Sequence, residues 1–193
     1  MSQTIKKLEA FFMKEFTEKA GRIAIFSLLF MIPEFEVKIF FLFLFVVFGL
    51  ASDINNKRFS TLISLPFSYK DVYLMSYTFI VTVVALTSLA GSAIFSGSIE
   101  NGIANLISSL IFVTAYYGVS ILSVSFGMDN FGVPFLVLIV DSIVSNIGIS
   151  NINPFYAFSP TTQGITWLAA IIAVLIFLTG LYVFDKKGVQ KWL

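Results

Sequence analysis

The sequence contains no cysteine and no histidine. The first absence removes disulfides, thiolate nucleophiles and thiolate metal sites. The second removes the usual proton shuttle near neutral pH and the commonest metal ligand. Intramembrane serine proteases with a Ser–His pair and His-dependent lipid phosphatases are thereby excluded. Charge is scarce as well: 12% of residues are Asp, Glu, Lys or Arg, about half the roughly 25% of an ordinary soluble domain. Nor is there a Gly-x-x-x-x-Gly-Lys-[Ser/Thr] run, so the chain has no P-loop with which to cradle ATP.

Apolar side chains take the place of what is missing. They make up 58% of the 193 residues, Phe alone occurs 23 times, and the net charge is only +1. A globule of this size hides about 70% of its chain surface, too little for so apolar a composition. A cytosolic enzyme, a nucleic-acid binder and a disordered tail are excluded. The expected class is an all-α polytopic membrane protein. The N-terminus does not read as a cleavable signal, because its first apolar block lies beyond a charged stretch of about twenty residues.

Crossing a bilayer core takes about 20 apolar residues, with a range of roughly 17–25. Four blocks approach that length: Val72–Phe95, Ile103–Phe126, Phe131–Ile149 and Ile165–Phe184. A fifth region, Ile23–Ala51, is interrupted by Pro33, Glu34, Glu36 and Lys38. As one span it would hold three charges in the bilayer, each costing about 2.5–3.5 kcal/mol on insertion scales. Two short spans meeting at Pro33 avoid that cost. Basic residues agree. Lys6, Lys7, Lys14, Lys19 and Arg22 precede the region, Lys57, Arg58 and Lys70 follow it, and Lys186, Lys187 and Lys191 close the chain. Of the 12 basic residues only Lys38 then falls outside the cytoplasmic flanks, which predicts six spans with both termini cytoplasmic. Glu34 and Glu36 read as solvated markers at the membrane edge beside Lys38.

Residues 1–20 read as an interfacial amphipathic helix, with Ile5, Leu8, Phe12 and Phe16 on one face and Phe11 at its margin. This helix either anchors the chain or braces the first span as an elbow. The cytoplasmic loop 52–71 carries Phe59, Leu62 and Ile63 at i, i+3 and i+4, the spacing of one helix face, with Pro66 to stop it. Ser68 to Asp71 has the spacing of a capping box for the third span. The loop Ser150–Gly164 reads as external and uncharged.

Asp141 is the one ionisable residue placed deep within an expected span, with Ser142, Ser145 and Asn146 close by in sequence. It is either a pathway or proton-coupling residue or a carboxyl hydrogen-bonded between helices. Ser88, Ser92 and Ser96 recur every four residues, and Ser109, Tyr116, Ser120 and Ser123 share a face. Such stripes either allow close helix approach or line a pathway.

The second span and its loop, from Phe40 to Asp71, resemble the permease subunits of ABC (ATP-binding cassette) type-2 exporters. In that family a charged residue precedes a short x-T-L-x-x-L-P-x-S helix, and a charged residue and the third span follow. Thr61-Leu62, Leu65-Pro66 and Ser68 match it. Phe59-Ser60 stands where the family usually has an acidic residue and glycine. The motif covers about fifteen residues; the layout, an N-terminal amphipathic helix, six spans and a basic tail, covers the whole chain.

The resemblance implies a multi-pass plasma-membrane subunit of a transporter, not itself an enzyme. It would pair with a second permease subunit to form the translocation pathway. ATP and Mg would be held by separate ATPase chains. The coupling role falls on Lys57, Arg58, Phe59, Leu62, Ile63, Leu65 and Pro66. Two other classes compete: the substrate-binding membrane subunit of a vitamin-uptake transporter, and a non-catalytic assembly or immunity protein.

Overall fold

A computed structural model describes residues 3–56, 67–95, 99–149, 152–162 and 164–187. Among these there are helices and no strands. Helix α1 runs from Gln3 to Phe30 and leaves helical geometry at Lys19. Pro33 follows its end, and the chain doubles back into α2, Phe35–Val46. Phe26 and Phe30 of α1 both meet the Phe45 ring, at 5.4 and 5.3 Å between centroids, so the two helices pack as an antiparallel hairpin.

From Val47 to Ala51 the helix widens into a π-helical turn, in which Gly49 departs from helical angles, and α3 (Ser52–Asn55) completes the run. Then come α4, Tyr69–Phe95, and α5, Ile99–Ser125. After them lie α6, Gly132–Ser145, the short α7, Pro154–Phe158, and α8, Thr166–Lys187.

Four helical segments are long and apolar enough to cross a membrane: Phe35–Asn55, Tyr69–Phe95, Glu100–Ser125 and Thr166–Lys186. The chain is accordingly an α-helical protein of membrane character. Its α6 is apolar but shorter, and ends before the expected Ile149. Asn153 explains why. Its amide donates to the carbonyls of Val144, Ser145 and Ile147 at 2.7, 3.2 and 2.9 Å, satisfying the C-terminal acceptors a helix leaves open. Gly148, at φ +85°, turns the chain away. The same side chain accepts from the Phe155 N–H at 3.0 Å and so starts α7.

The centre of the bundle is α5, which buries Phe112, Val113, Tyr116, Tyr117 and Ile121. Its largest contact is with α8. The backbones approach at Gly118 and Gly180: a Cβ on Gly118 would lie 2.8 Å from the Ile176 carbonyl oxygen. Close approach of this kind replaces the hydrophobic drive that lipid surroundings do not supply. Beside it the Tyr117 hydroxyl donates to the Tyr73 carbonyl at 2.7 Å, and the Tyr73 hydroxyl to the Phe177 carbonyl at 2.8 Å. The outer side of α8 exposes Trp167, Ile171, Leu175, Leu178 and Tyr182, an apolar stripe suited to lipid.

Three side chains sit differently from the sequence expectation. Phe11, placed at the margin of the N-terminal apolar face, is buried, while Phe16 is nearly half exposed. Phe12 and Phe16 both meet the Phe79 ring of α4, at 5.2 and 5.3 Å between centroids. Lys38, read as lying at an exposed edge, is instead only 2% exposed. Its long stem follows the first turn of α2 inward, and its ammonium lies 3.4 Å from the Ser88 hydroxyl of α4. Asp141 is therefore not the only ionisable side chain drawn into the bundle.

Candidate functional site

The expected coupling residues Lys57, Arg58, Phe59, Leu62, Ile63, Leu65 and Pro66 lie outside the described residues. What the structure fixes are the two feet of that loop. At the first foot, α3 offers Asp53. The Lys19 ammonium donates to Asp53 Oδ2 and to Glu15 Oε2, both at 2.7 Å. Glu15 is 5% exposed and Asp53 7%. Burial works against the Lys19 charge, but the two carboxylates outweigh it and hold the ammonium above the ordinary lysine range.

At the second foot the capping box forms. Asp71 N–H donates to the Ser68 hydroxyl at 3.1 Å, and Ser68 N–H to Asp71 Oδ2 at 3.2 Å. Lys7 of α1 reaches the same carboxylate at 3.5 Å and lies over the Phe67 ring. Both feet of the loop are thus tied by charge to one helix, α1.

The π-helical turn adds a third set of ties. Widening the helix pitch frees backbone carbonyls, and buried carbonyls require donors. Arg22 Nη1 donates to the Phe48 carbonyl at 2.6 Å, with its guanidinium over the Phe48 ring. Asn130 Nδ2 donates to the Val47 carbonyl at 3.3 Å, and Asn55 Nδ2 donates to Asn130 Oδ1 at 3.0 Å. Asn130 belongs to the turn before α6. There Asp129 accepts from the N–H groups of Gly132 and Phe131, which hold its carboxyl below the usual range. Glu15, Lys19, Arg22, Gly49 and Ser76 surround a void of about 10 Å³, roughly the size that holds one water.

The polar candidates of α5 and α6 separate into two groups. The Tyr116 hydroxyl of α5 donates to Asp141 Oδ2 of α6 at 3.1 Å. The Tyr116 ring stacks on Phe112, with centroids 4.4 Å apart. Ser145 instead returns its proton to the Asp141 carbonyl on its own helix. Ser120 is buried with no hydrogen-bond partner among the described residues. So Asp141 and Tyr116 meet, and Ser145 and Ser120 take no part in that contact. The geometry is that of an interhelical hydrogen bond.

At the opposite end of α2 from the loop feet lies an open cleft of about 560 Å³. Phe35, Glu36 and Ile39 of α2 form one wall, Ser142 and Asn146 of α6 another, and Tyr156, Thr161 and Thr162 the third.

Compared with known proteins, the chain matches no family model, no curated sequence and no solved structure.

The chemistry therefore rests on the geometry. Sequence reasoning missed the Glu15–Lys19–Asp53 cluster, because Asp53 stands 34 residues from Lys19 and each member reads singly as a solvated flank charge. One signal was available: Glu15 and Lys19 stand at i and i+4, on the same stripe as the buried Phe11 and Ile23. Asn130 and Asn153 carried no signal beyond their place in turns.

Proposed function

We propose that the chain is the membrane-spanning permease subunit of an ATP-driven transporter of the type-2 exporter kind. It works as a pair, crosses the membrane six times with both termini cytoplasmic, and is driven by separate ATPase subunits docked on residues 57–66. The observation that carries the reading is the double clamp of the loop feet. Lys19 holds Asp53 before the loop and Lys7 holds Asp71 after it. A plain linker has no use for such ties. Burying Glu15, Lys19 and Asp53 also costs desolvation. Rigid feet let a push on the loop reach α1 and α2 together, as a coupling element must. The Asp141–Tyr116 contact joins α5 to α6 within the same moving body. ATP and its magnesium belong to the partner chain.

The test is retention of the ATPase. The tagged chain, purified from its native membrane in nonionic detergent, should carry an ATP-hydrolysing partner. Leu62→Asp places an unpaired charge at the docking face and should release that partner while leaving membrane insertion and pairing intact. Lys57→Ala should loosen it chiefly at higher salt, as a rim charge does. Retention and hydrolysis unchanged by Leu62→Asp would sink the proposal.

A further inference from the structure

The outer cleft has a chemical character of its own. Its one formal charge is the Glu36 carboxylate, which has no ion-pair or hydrogen-bond partner among the described residues. The nearest cation along the chain, Lys38, is turned to Ser88 and does not line the cleft. Several of the polar walls have already spent donors on the protein. Asn146 Nδ2 donates to the Ser142 carbonyl at 2.8 Å, and the Thr162 hydroxyl to the Tyr156 carbonyl at 3.1 Å. The oxygens of both side chains remain as acceptors. Ile39 and the Tyr156 ring supply the apolar part of the wall, while Phe35, 5% exposed, leaves little surface there. At about 560 Å³ the space falls in the range, roughly 300–1,000 Å³, of small-molecule sites.

An exposed carboxylate, surplus acceptors and an apolar wall in one cleft select one kind of ligand. We infer that the cleft binds an organic ammonium cation, with its charged nitrogen at Glu36 and its apolar body on Ile39 and the Tyr156 ring. An anion meets the wrong charge here. A bare inorganic cation leaves the apolar wall unused and finds one carboxylate where oxygen-rich cages supply several. The site stands on the chemistry of the cleft and does not depend on the transport role.

The test uses the full chain in nonionic detergent at neutral pH, with no ATPase present, so its outcome is separate from that of the docking experiment. Phenethylammonium is titrated against phenethyl alcohol, its neutral counterpart of the same shape, by calorimetry. The ammonium should bind saturably and at least about tenfold more tightly, the difference one charge-assisted hydrogen bond makes. Glu36→Gln, an isosteric change at an exposed position, should reduce ammonium binding to the level of the alcohol. Asn146→Leu should cost several-fold, with the helical circular dichroism and gel-filtration profile of both variants unchanged. Equal binding of the two probes shows partition onto apolar surface alone and overturns the inference. So does ammonium binding that Glu36→Gln leaves intact, and so does sodium that displaces the ammonium at equal concentration.

Discussion

Replacing Lys19 by Met is the sharpest perturbation available. Two carboxylates, Glu15 and Asp53, share its ammonium at 2.7 Å each, and all three side chains are largely out of solvent. Removing the cation leaves two buried negative charges facing each other. Breaking a buried pair from one side costs about 3–5 kcal/mol, against about 0–1 kcal/mol for a solvent-exposed one. For a chain of this length about 1 kcal/mol moves the melting temperature by roughly 2–4 °C, so Lys19→Met should lower it by roughly 6–20 °C. The assay is thermal unfolding in detergent micelles followed by helical circular dichroism. Neutralising the whole cluster with Glu15→Gln, Lys19→Met and Asp53→Asn should recover at least half of the loss, because the penalty lies in the uncompensated charges. A drop below about 1 kcal/mol for the single variant would refute the burial argument, and a triple variant no better than the single would refute the charge argument. If the loop feet also transmit motion, the triple variant should be stable yet show ATP hydrolysis no longer responsive to transport.

Other outcomes follow from the same geometry. The Lys19 ammonium is held above its ordinary value of 10.5, so its contribution is complete below about pH 10.5 and is lost only as pH rises past the folded value; the stability gap between wild type and Lys19→Met should stay flat from neutrality to that point. Asp141→Asn keeps an acceptor for Tyr116 and should assemble normally, whereas Asp141→Leu should cost about 0.6 kcal/mol and at most about 1.7 kcal/mol, read by unfolding; an Asn variant that assembles but does not transport would require a charge role. Gly118→Ala must push α8, with its Ile176 carbonyl, away from α5 and should cost about 1–3 kcal/mol by the same assay. Cysteines introduced at Ser2, Glu36, Glu100 and Asn153, in a chain that has none of its own, should label from outside at the last three positions and not at the first.

The long apolar helices were legible because their signal is local: twenty-odd apolar residues between polar punctuation. Pro33 marked the hairpin for the same reason, since a proline acts on its own neighbourhood. The capping box at Ser68 and Asp71 spans one turn and was equally readable. What was not legible lies across the chain. Lys38 gives the same local reading whether its stem turns outward or inward, and only the position of Ser88, 50 residues away, decides. Phe11 and Phe16 are interchangeable in an apolar count, and only the packing of the helix against the bundle decides that Phe11 is the buried one. The early end of α6 depended on one asparagine, Asn153, reaching back to three carbonyls. Asp141 was found by its isolation, but its partner Tyr116 was one of several polar side chains on a stripe, and only the helix crossing chose among them.

The π-helical turn at Val47–Ala51, with Gly49 outside helical angles, amounts to one extra residue between two helical runs. With 3.6 residues per turn, one residue more rotates every later side chain by about 100°. The direction in which Asp53 and Asn55 point is therefore a matter of counting. Deleting any single residue of this stretch would leave a smoother and equally apolar helix. It would also swing Asp53 off Lys19 and Asn55 off Asn130. The aim of Asp53 and Asn55 is written in phase, and a conservative substitution cannot alter it while a one-residue deletion can.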